Sequence, residues 1–99
     1  MLPTITVTTT GVTAATGAAS ARSTLPNASD GNAPRYIRVS ARNECYVKSG
    51  YSTVTATAND VLVQPGDAVV LQVPAGITHI AYIQGTAAGV VNVVPLENL

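Results

Sequence analysis

Tryptophan and phenylalanine are absent from this chain, and cysteine, histidine and methionine occur once each. Without the large aromatics, a stacking platform for sugars or bases has only Tyr36, Tyr46, Tyr51 and Tyr82 to draw on. A lone Cys45 rules out an intrachain disulfide, and with His79 it makes no set that holds structural zinc, so neither metal nor cofactor is expected. No apolar run approaches the roughly 18 residues of a membrane helix, and no membrane partner is expected. The opening Met1-Leu2-Pro3-Thr4 lacks a basic stretch followed by an apolar one, so no signal peptide is expected, and Asn27-Ala28-Ser29 reads as a chance glycosylation sequon. A net charge of zero argues against a surface that wraps nucleic acid.

Large side chains are also scarce in one long stretch. Residues 8–33 hold only two large aliphatics, Val12 and Leu25, among Thr, Ala, Ser, Gly, Asn and Pro, with Arg22 and Asp30 as the only charges. Fixing a residue costs about 1–2 kcal/mol of backbone entropy, and burying a Val or Leu returns about 1.5–3 kcal/mol. This stretch cannot order itself by its own side chains. Residues 1–33 are therefore expected to form an N-terminal strand, over residues 4–8, followed by an extended arm laid against something else. Val12 and Leu25 are its candidate anchor points. Residues 34–99, about 65 of them, would make the folded domain, near the lower limit for independent stability, where oligomerisation is a common support.

What is present from Pro34 onward is an alternation of period two, rich in Val and Thr. Ile37, Val39 and Ala41 alternate with Arg38, Ser40 and Arg42, and Cys45 and Val47 with Tyr46 and Lys48. A three-residue loop at 42–44 would set Ala41 opposite Cys45 and Val39 opposite Val47. Pro65-Gly66 is a type II turn pair. A meander after it would pair Val73 with Ile77, Leu71 with His79 and Val69 with Ala81, then Ile83 with Val91 and Ala81 with Val93. Its core face would be Val69, Leu71, Val73, Ile77, Ala81, Ile83, Val91 and Val93; Val70, Gln72, Ile80, Tyr82, Asn92 and Val94 would face outward. Residues 53–58 and 61–64 read as further strands. Seven or eight short strands with frequent turn signals predict an all-β fold, a small antiparallel β-sandwich with a jelly-roll-like order as the specific expectation.

Residues 68–96 contain no Asp, Glu, Lys or Arg. Exposed strand edges normally carry charge to discourage pairing with other chains. These strands must be central in their sheets or covered by other subunits, and the second alternative favours a homo-oligomer, with a trimer as the first expectation.

No catalytic set can be assembled. Cys45 lies in an apolar row, as a structural cysteine does. His79 lies near a strand end, the carboxylates are scattered, and no nucleophile elbow or phosphate loop occurs. The chain is expected not to be an enzyme. The sharpest local signal is basic: Tyr36, Arg38, Ser40, Arg42, Glu44, Tyr46 and Lys48 would share one face of the first hairpin, with Arg38 opposite Lys48. Like charges across a strand pair repel, and either Glu44 with solvent or an acidic partner would relieve them. Tyr and Arg are also enriched at interface hot spots.

Tyr36-Ile37-Arg38-Val39-Ser40, Cys45-Tyr46-Val47-Lys48-Ser49-Gly50, Val63-Gln64-Pro65-Gly66, Val73-Pro74-Ala75-Gly76-Ile77-Thr78-His79-Ile80-Ala81 and Gly89-Val90-Val91-Asn92-Val93 together resemble the small virion proteins of tailed bacteriophages. The resemblance implies a non-enzymatic structural protein, made in the bacterial host cytoplasm and located in the virion. It implies a decoration or cement protein of the phage head that stabilises the capsid by binding across major capsid subunits. A neck, collar or tail-fibre component is the alternative within that class, with other virion proteins as partners. A small β-sandwich module that binds a sugar or peptide is the alternative outside it.

Overall fold

The computed structural model describes residue 7 and residues 10–96. Eight strands follow in chain order: β1 Val12–Ala15, β2 Ala21–Thr24, β3 Tyr36–Ala41, β4 Cys45–Gly50, β5 Val61–Val63, β6 Val69–Gln72, β7 His79–Gln84 and β8 Val90–Pro95. They form two four-stranded antiparallel sheets packed face to face. Sheet I has the order β1-β8-β3-β6 and sheet II the order β2-β7-β4-β5. Among the described residues there is no helix, hence none long and apolar enough to cross a membrane. The expected strand over residues 4–8 lies outside the described residues, apart from Val7, which is exposed.

The strand order is that of a jelly roll. The first strand pairs with the last, β2 with β7, β3 with β6 and β4 with β5. The chain is thus one long antiparallel ribbon, bent so that alternate segments fall in opposite sheets. Between Tyr36↔Gln72 and Cys45↔Val63 each strand advances by nine residues, so the register runs unbroken through the bend. At the bend, the Asp67 amide donates to the Gln64 carbonyl at 3.1 Å, and Gly66 has φ +77°, which closes the expected Pro65-Gly66 turn.

The core lies between the sheets. Ile37, Val39, Val91 and Val93 of sheet I meet Cys45, Val47, Val63, Ile80 and Tyr82 of sheet II, all nearly or fully buried, with Leu25 and Val73 from flanking segments. Each such aliphatic contributes about 1.5–3 kcal/mol. The two polar groups drawn in are satisfied: Thr16 Oγ1 accepts from the Gly89 amide at 2.9 Å, and the Tyr82 and Ser23 hydroxyls are 2.6 Å apart.

The side-by-side hairpins expected from the sequence do not form. β3 and β4 lie in different sheets, as do β6 and β7, and β7 and β8. Matching apolar faces is satisfied equally by strands that pair and by strands that face each other across a core. The second arrangement occurs at every connection except β4 to β5. β7 also turns the other way from expectation: Ile80 and Tyr82 enter the core cluster, and Ala81 and Ile83 lie on the outer face, opposite Lys48 and Tyr46. The connection over residues 73–78 crosses between sheets, so it does not carry the face of β6 onto β7.

Within the described part of the expected arm, residues 10–33 are not separate from the domain. β1 closes sheet I against β8, and β2 closes sheet II against β7. Leu25 is 6 % exposed and its amide donates to the Thr78 carbonyl at 2.9 Å. Side-chain burial alone could not order this stretch. The backbone ladder supplies the rest, each bond adding about 0.5–1.5 kcal/mol net. Residues 53–58 are likewise not a strand. Asp60 Oδ2 accepts from the Thr57 amide at 2.7 Å and its hydroxyl at 3.2 Å, which favours a turn there. β5 ends at Val63, one residue short of expectation, where Gln64 turns toward Asp67.

Candidate interaction surface

The expected basic face is divided between the two sides of the molecule. Tyr36 and Arg38 project from the outer face of sheet I, with Arg42 continuing that row, whereas Tyr46 and Lys48 project from the outer face of sheet II. Arg38 has Val94 on one side and Val70 on the other, and Lys48 is opposite Ala81, so the two cations do not confront each other. Tyr36 and Tyr46 lie on opposite sides of the molecule and do not share a face. Leu25 is a core residue and Val12 is half-buried on the β1 row opposite Val93.

The outer face of sheet II is covered in part by the chain itself, around Ala81, while Leu62 and Lys48 on the same face stay exposed. Residues 51–60 join β4 to β5 and fold back toward β2. The Arg22 guanidinium donates to the Val54 carbonyl at 3.2 Å, and the Ala56 amide donates to Ser20 Oγ at 2.8 Å. Gly50 is required beneath this flap, since a Cβ there would meet the Val54 side chain at 2.7 Å. Ala56 and Ala81 are buried as a result, Ala81 completely.

Among the described residues, nothing covers the outer face of sheet I. Its rows read Thr13, Asn92, Ser40; then Val94, Arg38, Val70; then Tyr36 and Gln72. Tyr36 is 47 % and Val70 51 % exposed. The stem of half-buried Arg38 lies between two valines, and its charged head is free to reach outward. Asn92 Nδ2 donates to Thr13 Oγ1 at 3.1 Å. A depression of about 280 Å³ beside them is lined by Thr13, Ser40, Ala41, Arg42, Val90 and Asn92. No carboxylate occupies a strand position on this face. Glu44, the nearest acid along the chain, instead accepts from the Thr86 amide at 3.2 Å.

Val70 and Gln72 belong to this surface, although no motif singles them out as candidate site residues. Their signal was present in the alternation that put them on the outward row of β6, and in the want of any charge there.

The interior holds little chemistry. Cys45 is fully buried, and burial pushes its thiol above the ordinary range, away from the nucleophilic thiolate. His79 Nδ1 is 2.7 Å from Thr78 Oγ1. Among the described residues, no three His, Cys, Asp or Glu side chains gather where a metal ion could be held. Comparison with protein-family models, curated proteins and solved structures finds no match to this chain.

Proposed function

We propose that this chain is a non-enzymatic structural protein of a tailed-phage particle, docking through the outer face of sheet I onto major capsid subunits of the head. The observation that carries the reading is the cluster on the outer face of sheet I, where Tyr36, Val70, Arg38 and Arg42 are exposed or half-exposed together and no connection crosses, whereas residues 51–60 cover part of the opposite face. An aromatic and a valine beside guanidinium groups suit an acidic protein surface with apolar patches. The resemblance of the strand-forming segments to small virion proteins supplies the class of partner. Repeated identical contacts on a symmetric shell would make weak individual docking sufficient.

The test is co-sedimentation of the purified chain with heads and with whole particles of the phage that encodes it. The wild type should pellet with heads, and Arg38→Glu with Arg42→Glu should weaken this by about tenfold or more, with a dependence on salt. A wild type that stays in the supernatant overturns the reading. One that pellets only with tails replaces it with a neck or tail-fibre role.

A further inference from the structure

The open side of the sandwich runs along β6, the edge strand of sheet I. The Val73 amide donates to the Arg35 carbonyl at 2.7 Å. Antiparallel alternation then directs the amides and carbonyls of Val69 and Leu71 toward β3, and those of Val70 and Gln72 away from the sheet. Among the described residues no strand takes up that outward edge. It carries none of the charges, prolines or bulges that usually block strand addition. Beside it, between the sheets, lies a cavity of about 480 Å³. Val47, Ser49 and Val61 line it from sheet II and Leu71 from sheet I, with Lys48, Asn59, Asp60 and Gln72 completing the lining. A strand added to β6 would send every second side chain into this gap, toward Val47, Val61 and Leu71, and the others onto the outer face.

We propose that residues 4–8 of a second copy of this chain add to β6 as a fifth strand of sheet I. The segment reads Thr4-Ile5-Thr6-Val7-Thr8, so Ile5 and Val7 enter the gap and the threonines face outward. A chain's own segment is too short to reach. The added strand lies four strand spacings from β1, about 19 Å, whereas the four residues from Val12 back to Thr8 span at most about 14 Å. The contact therefore joins separate molecules and makes the protein a homo-oligomer by strand exchange. It is independent of any role in a virion, because it concerns the isolated chain.

Sedimentation velocity on the full chain tests it, using three proteins. The wild type should associate. A full-length Ile5→Asp, Val7→Asp variant should be a monomer because its donor strand cannot enter the gap. Val70→Pro should also be a monomer, since the amide it removes faces away from β3; Val70→Lys serves the same purpose if the proline variant does not fold. Each variant keeps the half that the other lacks, so mixing the donor variant with the edge variant should restore association between them. A monomeric wild type overturns the proposal, as does an oligomer that survives both variants, or two monomeric variants that fail to associate when mixed.

Discussion

On the outer face of sheet II, Ala81 is completely buried because residues 51–60 fold back over it; on the outer face of sheet I, Tyr36 and Val70 stand about half exposed. Both faces belong to sheets of four strands, and both carry small and β-branched side chains. What separates them is where the tip of the ribbon falls. The ten residues between β4 and β5 leave from sheet II and have only that face within reach. The apolar exposure on sheet I is thus confined to the face and edge that no connection crosses. Local exposure of that kind points to contact with other molecules more than a uniformly thin polar coat would.

Lysine substitutions should break this comparison most sharply. Ala81→Lys forces a charged chain under the flap and should cost about 3 kcal/mol or more, whereas Val70→Lys, compared at a protein concentration low enough that the wild type is monomeric, should leave stability within about 0.5 kcal/mol. Urea midpoints of the two variants check this, and equal losses would mean that the faces do not differ. Leu25→Ala comes next, at about 2–4 kcal/mol. A loss near zero would show that residues 10–33 are not integral to the sandwich. The smallest effect is expected at Ser20→Ala, which removes the acceptor for the Ala56 amide at a cost of about 1 kcal/mol. Faster hydrogen exchange should then appear at Ala56 and spread through the flap, with none on sheet I.

The strands from β3 onward could be read from period-two alternation, and the inward rows of β3, β4, β6 and β8 with them. Pro65-Gly66 announced its turn because only particular residues fit that geometry. Strand partners could not be read, because alternation distinguishes inside from outside but not one sheet from the other. β7 misled for a further reason: Ile80, Ala81, Tyr82 and Ile83 are all apolar, so either parity gives an acceptable core row. β1 and β2 escaped notice because their stability resides in backbone bonds to distant strands, which Thr- and Ala-rich sequence does not advertise. The basic hairpin face failed with the hairpin itself. Arg38 and Lys48 do point outward as expected, but away from each other.

The ribbon's constant register also limits how a gene for such a chain can change in length. One residue inserted into β3 or β4 alone would turn every side chain beyond it to the wrong face. Matched insertions in both strands, or additions at the ribbon's tip, escape that penalty. The outer half of the ribbon obeys the same parity: from Val12↔Val93 to Ala21↔Tyr82 one strand advances nine residues and the other eleven, an even difference. Related chains should therefore vary in length most freely within residues 51–60, and there the cost would fall on the flap that shelters Ala81.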